Sequence, residues 1–215
     1  MLSFERVIRK VRYGTPVVVV SGLPRSGTSM AMKMLEAGGV AVVTDGIRGA
    51  DVSNPKGYYE LEAVKQLDKN GNTAWLREAR GKAVKIISFL LTYLPETHNY
   101  NVVFMQRDLG EVIASQNKML VERGEAQDGR GDDDARMLAL YRQHLDKVMR
   151  FMAHRRCFRL LKVSYGDAMA HPAVEARRIS DFLGGTLDVD RMAAVSDPAL
   201  YRNRAPEPGG GRRAP

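Results

Sequence analysis

A glycine-bounded turn between a run of valines and a methionine-rich stretch is the part of the sequence best suited to chemistry. Residues 22–29 have the sequence GLPRSGTS. The valines at 17–20 predict a strand buried on both faces, and the stretch after the turn predicts a helix. Backbone N–H groups and the dipole of a helix N-terminus attract an anion. The order strand, turn, helix therefore predicts a phosphate-binding loop.

This turn has the spacing of a nucleoside-triphosphate P-loop but lacks its lysine, because Thr28 stands at the lysine position of GxxxxGK[ST]. That lysine contacts the β- and γ-phosphates of a triphosphate. No predicted strand ends in a clear metal-binding aspartate either, so the sequence disfavours ordinary ATP or GTP hydrolysis. It favours a site for one phosphate without a metal ion. The candidate binding residues are Pro24, Arg25, Ser26, Gly27, Thr28 and Ser29.

Arg107 and Ser115 form a second candidate anion site. Arg107 ends a predicted strand, and Ser115 follows eight residues later in a predicted helix. An extended arginine and a helix serine could bind one further anion between them. A surface ion pair and an ordinary helix serine are the alternatives to this interpretation.

Apolar runs and helical patterns alternate along the chain and must position these residues. Strands are predicted at residues 16–21, 40–43, 83–89, 100–106 and 158–163, and helices at 28–37, 58–67, 135–154 and 172–183, with one further helix that Asp108 and Glu111 begin as a capping box. The alternation predicts a three-layer α/β/α fold with a central parallel sheet, similar to P-loop NTPases. Ligands bind such sheets at the carboxyl ends of the strands, where both candidate sites lie.

Length and charge set the broad class. We expect one domain over residues 1–204 and a flexible tail over 205–215, in a chain of 215 residues with a net charge of +8. The charge favours anionic partners such as nucleotides, sulfated substrates, nucleic acid or an acidic membrane surface, although scattered solubilising cations explain it more simply. A single cysteine, Cys157, favours the cytoplasm, and neither a signal peptide nor a transmembrane segment is predicted.

Several motifs together resemble those of the PAPS-dependent sulfotransferases, in particular bacterial members. Residues 24–29 match the family's phosphosulfate loop P-[KR]-S-G-[ST]-[ST]. Residues 107–115 look like its R-D-P-x-[ED]-x-x-x-S helix, and residues 54–60 are similar to the NPKG-[FY]-[FWY]-E loop. Residues 163–167, VSYGD, are similar to a segment that contains the family's Y-E-D-L pattern.

The resemblance implies transfer of a sulfuryl group from PAPS to a hydroxyl or amine acceptor by in-line displacement, with release of 3′,5′-ADP. Arg25 stands at the catalytic lysine of the family and would neutralise charge on the leaving group. Lys85 resembles a lysine near the sulfonate, and an ordinary strand-end lysine is the alternative. Arg107, Ser115 and Tyr165 would bind the nucleotide. The family's C-terminal Arg-Lys-Gly motif is absent, and Arg202 or Arg204 would serve instead.

The general base is less defined. Ile87 occupies the position at which many members have a histidine. Glu60 is the candidate, with Asp45 and Asp51 behind it, although a carboxylate at position 60 is equally suited to begin a helix. The four histidines, His98, His144, His154 and His171, are predicted to be surface residues.

Other functions remain open at this stage. A P-loop nucleotide kinase would require the missing lysine, and a nucleotide-binding module without transfer activity would keep the loop alone. Nucleic-acid binding would need a one-sided basic patch with aromatic residues, and none is compelling. The acceptor is expected to be a small molecule, a lipid or a carbohydrate. Neither it nor the oligomeric state is defined by the sequence.

Overall fold

A four-stranded parallel sheet organises the part of the chain that the structure, a computed structural model, describes: residues 4–46, 59–122, 124 and 131–196. Its strands are β1 (Val17–Gly22), β2 (Ala83–Lys85), β3 (Tyr100–Gln106) and β4 (Phe158–Ser164). The spatial order is β2-β1-β3-β4, and all three pairs are parallel. The predicted α/β class with a central parallel sheet is therefore confirmed.

Helices connect the strands. They are α1 (Phe4–Tyr13), α2 (Thr28–Ala37), α3 (Glu62–Lys65), α4 (Leu67–Asn70), α5 (Leu109–Glu122), α6 (Gly131–Ala153), α7 (Tyr165–Ala170), α8 (Pro172–Leu183) and α9 (Val189–Ala193), with 3₁₀ helices at Ala74–Arg77 and Ser88–Tyr93. None of these helices is both long and apolar enough to cross a membrane.

The sheet is covered on both faces, which explains why its strands are apolar without alternation. Val17 and Val19 of β1 belong to a core that α6 covers with Val148 and Met152. On the opposite face, Val18 and Val20 pack in a second core with residues of α2 and α8, among them Met32, Leu35 and Ile179. The two cores give three layers, with β1 paired on both sides.

Several helices and strands begin and end at the residues that local sequence signals predicted. Helix α2, strand β3 and the bounds of α8 agree with the predicted ranges. Pro172 begins α8, and Gly184 ends it with a φ of 126°. Asp108 begins α5 as expected, because its Oδ1 accepts a hydrogen bond of 3.1 Å from the N–H of Glu111.

Two predicted strands are wrong in extent. Residues 40–43 form only one bridge, between Val42 and Ala83, because the N–H of Val40 bonds to the Leu35 carbonyl and that of Asp45 to the Glu60 carbonyl. Strand β2 ends at Lys85 instead of continuing to residue 89. The N–H of Ile86 still bonds to the Val20 carbonyl, but the chain then enters the 3₁₀ helix at Ser88, while β1 continues to Gly22 beside β3.

Two predicted helices differ as well. The helix expected over 58–67 is split into α3 and α4, and α6 begins four residues earlier than expected, at Gly131. The predicted loop over 44–57 lies outside the described residues from 47 onward, and so do most of the loop over 123–134 and the tail.

Candidate functional site

The turn between β1 and α2 is closed from within by Ser26. The Leu23 carbonyl accepts a bond of 3.1 Å from the N–H of Ser26 and a bond of 2.7 Å from its hydroxyl. Ser26 is 2% exposed. Its hydroxyl, which the sequence assigned to a phosphate, here holds the shape of the turn.

Two glycines are required where the turn meets the rest of the sheet edge. A Cβ on Gly22 would collide with the Ser26 hydroxyl and would lie 2.7 Å from the Met105 carbonyl. A Cβ on Gly27 would collide with the Tyr165 ring, and its φ of 98° is itself unfavourable for other residues. Gly27 precedes α2 without a side chain that could cap it. The first turn of α2 thus has the character of an anion-binding N-terminus.

Arg25 joins this turn to α5. Its backbone has a φ of 71°, a left-handed conformation that costs a non-glycine residue about 1 to 2 kcal/mol. Its Nε donates a hydrogen bond of 3.0 Å to the Ser115 Oγ. Its carbonyl accepts a bond of 3.2 Å from Nη1 of Arg107. The two anion sites predicted from the sequence are therefore in direct contact.

Besides the Arg25 carbonyl, Glu111 and Tyr165 hold the Arg107 side chain in place. Its Nε lies 2.8 Å from Oε2 of Glu111, and the two side chains are 9% and 5% exposed. Its guanidinium lies over the Tyr165 ring at 4.5 Å from the centroid. Burial raises the pKa of Tyr165 above its ordinary value, against the smaller opposing effect of Arg107. Arg107 is thus a fixed cation at the carboxyl end of β3.

An open cleft of about 420 Å³ lies beside this arginine. It is formed where β3 and β4 end, between the start of α5 and the start of α7. Its lining residues are Gln106, Arg107, Asp108, Glu111, Ser164 and Gly166. The cleft lies at the edge of the sheet at which α/β proteins bind ligands.

Lys85 lies on β2, on the other side of β1 from Arg107, and Glu60 is bonded to the segment that follows Val43. Lys85 is the last residue of β2 and pairs with Val20, two residues before Gly22. Glu60 is placed by its backbone, since its carbonyl accepts bonds from Thr44 Oγ1 (2.9 Å) and from the N–H of Asp45 (3.2 Å). Its carboxylate lies 2.9 Å from the Lys65 Nζ. The carboxylate of Asp45 accepts a 2.6 Å bond from the N–H of Glu62 at the start of α3.

His144 of α6, which the sequence assigned to the surface, lies against Ser88, three residues after the end of β2. The ring of His144 is partly buried, stacks on Phe89 with centroids 3.8 Å apart, and has its Nε2 2.9 Å from Ser88 Oγ. Burial lowers the pKa of His144 below its ordinary value, and Lys147 lowers it further.

Apolar packing connects His144 and Ser88 to the turn. Phe89, which stacks on His144, has its ring centroid 6.4 Å from that of Tyr141. Tyr141, one helical turn before His144, packs in one apolar cluster with Leu23. One sign of this site is present in the sequence: Ile87, next to Ser88, stands at the position where many members of the family have a histidine.

The remaining sequence candidates divide into two groups. Asp51, Arg202 and Arg204 lie outside the described residues. His154 and His171 are exposed as predicted, whereas His98 is partly buried like His144, so the surface prediction was wrong for these two. Among the described residues, no three His, Cys, Asp or Glu side chains converge as they would around a metal ion.

Comparison with known proteins bears on this geometry. A family model described as the sulfotransferase family matches residues 61–189. The matched span includes Lys85, Arg107, Ser115 and Tyr165 and begins after the turn at residues 22–29. No curated protein matches the chain.

Proposed function

The chain belongs to the sulfotransferase family, and we propose that it transfers a sulfuryl group from PAPS to a hydroxyl or amine acceptor, releasing 3′,5′-ADP. One observation carries the proposal of this donor: the 3.0 Å bond from Arg25 Nε to Ser115 Oγ. It brings the loop suited to one phosphate next to the arginine and serine suited to another. PAPS carries two such groups, a 3′-phosphate and a 5′-phosphosulfate.

The 5′ end of the donor is assigned to the turn and α2. Main-chain N–H groups at the start of α2, with the hydroxyls of Thr28 and Ser29, bind the 5′-phosphate. Arg25 neutralises the charge that develops on the bridging oxygen as the sulfur–oxygen bond breaks. Because a guanidinium does not give up its proton, its contribution is electrostatic and not that of a general acid. Lys85 approaches the sulfonate from β2.

The 3′ end is assigned to Arg107 and Ser115. The Arg107 side chain is fixed by the pair with Glu111 and by the Tyr165 ring, and the Ser115 Oγ accepts the bond from Arg25 Nε. A fixed cation binds an anion with little loss of side-chain entropy. The cleft between β3 and β4 is then the place for the nucleoside, and Arg202 or Arg204 closes over the 3′-phosphate.

Glu60 is the proposed proton acceptor, and His144 is the second candidate. Glu60 has support from the motif around it, with Asp45 and Asp51 as weaker choices. His144 has support from two observations: burial lowers the pKa of its ring, which favours the neutral form that a base needs, and Tyr141 on the same helix packs in one apolar cluster with Leu23 of the turn. The acceptor itself is a small molecule, a lipid or a carbohydrate.

The alternative enzyme is a P-loop nucleotide kinase, and a nucleotide-binding protein without transfer activity is the alternative outside enzymes. The kinase lacks support because Thr28 occupies the lysine position. A binding protein would share the nucleotide site and differ only in turnover of PAPS.

Titration calorimetry of an Arg107→Lys variant tests the assignment of the donor. Lysine keeps a positive charge beside Glu111 but lacks the planar fork of arginine. We expect affinity for 3′,5′-ADP to fall roughly tenfold while affinity for 5′-AMP is unchanged. Equal losses for the two nucleotides would mean that Arg107 does not contact the 3′-phosphate.

A further inference from the structure

Helix α1 is fastened to the sheet edge opposite the cleft. Arg9 donates to the Asn99 side chain at 3.0 Å and to the carbonyls of Glu96 and His98 at 2.7 and 3.1 Å. The Asn99 amide donates in return to the carbonyls of Arg9 and Gly14. Asn99 directly precedes β3, so α1 lies at the amino ends of the strands.

The opposite side of α1 is apolar and exposed. Val7, Ile8 and Val11 are 48%, 50% and 83% exposed. Because each helical residue advances by about 100°, these three form one stripe that points away from the body. Lys10 and Arg12 are exposed and lie on either side of the stripe, with Arg9 behind it. An apolar stripe with a cation on each side is the pattern of a helix that lies on a membrane surface.

Further cations extend the positive charge beyond α1. Arg77 and Lys82 are exposed, and Arg80 lies against Gly14, the residue that follows α1. Arg77 and Arg80 lie close enough to His98 to contribute to the lowering of its pKa, after the larger effect of burial. Glu78 is exposed beside them, whereas Glu96 is ion-paired with Arg155 at 3.1 Å.

We propose that α1 docks this edge of the protein on an anionic lipid bilayer. Val7, Ile8 and Val11 enter the boundary between headgroups and acyl chains, and Lys10 and Arg12 contact lipid phosphates. A second copy of the chain fits this surface less well, because two-fold pairing of α1 helices would bring their cations together. The inference is independent of the donor proposed above.

Docking in this way leaves the opposite edge of the sheet facing water. The turn at residues 22–29 and the cleft beside Arg107 lie at the carboxyl ends of the strands. Both therefore remain open while the protein is attached to the membrane.

Co-sedimentation of the full chain with vesicles tests the proposal. Wild type should pellet with vesicles in which about a third of the lipid is phosphatidylglycerol, remain in the supernatant with phosphatidylcholine alone, and be released by high salt. The combined change Val7→Ser, Ile8→Ser and Val11→Ser should weaken binding at least roughly tenfold. Lys10→Gln with Arg12→Gln should weaken it roughly fivefold for each cation removed.

Val174→Ser with Arg177→Gln is the matched control, since it removes one exposed apolar residue and one exposed cation from α8. It should bind like wild type. If the triple change alters the melting temperature, Val11→Ser alone replaces it. The proposal is overturned by wild type that stays in the supernatant, by equal binding to both vesicles, or by α1 variants that bind like wild type. A dimer in solution that the apolar change dissociates would identify a second copy as the occupant and overturn it too.

Discussion

The Nε of Arg25 donates a hydrogen bond of 3.0 Å to the Oγ of Ser115, although the two residues are 90 positions apart in the chain. Arg25 belongs to the turn after β1, and Ser115 belongs to α5 after β3. Because β1 and β3 are neighbours in the sheet, the two structures that follow them meet at one edge. A ligand that carries an anion at each end can therefore contact both.

Removal of the Ser115 hydroxyl should weaken binding of the 3′-phosphate more than binding of the 5′-phosphate. For Ser115→Ala we expect a loss of roughly tenfold in affinity for 3′,5′-ADP, because a hydrogen bond to a charged group is lost. Affinity for 5′-AMP should change much less. Titration calorimetry measures both, and Ser115→Thr, which keeps the hydroxyl, is the control. A larger loss for 5′-AMP would mean that Ser115 contacts the 5′-phosphate and not the 3′-phosphate.

A pair of glycines separates backbone strain from steric collision. Gly27 and Gly39 have similar φ values, 98° and 95°, but only the Cβ of an alanine at position 27 meets a neighbour, the Tyr165 ring. Gly39→Ala should lower the free energy of unfolding by about 1 kcal/mol through strain. Gly27→Ala should cost about 1 to 3 kcal/mol more because of overpacking. Urea unfolding measures the difference, and equal effects would mean that Tyr165 moves aside freely.

The buried pair of Arg107 and Glu111 should contribute more to stability than a similar pair nearer the surface. Glu111 and Glu175 are equally buried, but their partners Arg107 and Arg178 are 9% and 47% exposed. For Glu111→Gln we expect a loss of about 2 to 3 kcal/mol in the free energy of unfolding. For Glu175→Gln solvent screening should reduce the loss to about 1 kcal/mol or less. Chemical unfolding at neutral pH compares them, and a greater loss for Glu175→Gln would reverse the ranking.

His144 should make the protein less stable in acid. Burial, with Lys147, lowers the pKa of its ring in the folded state below the ordinary value near 6.5. The unfolded chain therefore binds more protons at His144, and stability falls as the pH drops from about 6.5 towards the lowered pKa. Between about pH 7.5 and 5.5, the melting temperature of His144→Gln should fall less than that of wild type.

His154→Gln is the control for this effect, because His154 is exposed. Its melting temperature should follow that of wild type over the same pH range. If His144→Gln also follows wild type, His144 is not the source of the acid sensitivity.

The sequence predicted those parts of the molecule that depend on neighbouring residues. The bounds of α2, the whole of β3 and the turn between β1 and α2 follow from apolar runs, glycines and spacing. Asp108 begins α5 as its motif predicts. The assigned functions of Arg25, Glu60, Lys85 and Arg107 stay predictions until nucleotide binding and turnover are measured.

Features that depend on distant pairing could not be predicted in the same way. Residues 40–43 have the composition of a strand, but only Val42 pairs with β2, because the backbone on either side bonds to Leu35 and Glu60 instead. His144 meets Ser88 across 56 positions, and nothing in the residues around it indicates a partner. The Glu111 carboxylate fits a capping box, yet it also forms the ion pair with Arg107 because the end of β3 passes beside α5.

Binding of 3′,5′-ADP in competition with ATP and Mg²⁺ tests the central claim most directly. The turn has Thr28 in place of the triphosphate-binding lysine, and the proposed second anion site, Arg107 with Ser115, contacts Arg25 of the turn. Titration calorimetry of the wild-type chain should therefore show clear preference for 3′,5′-ADP over both 5′-AMP and ATP with Mg²⁺. Equal or tighter binding of ATP with Mg²⁺ would contradict PAPS as the sulfuryl donor.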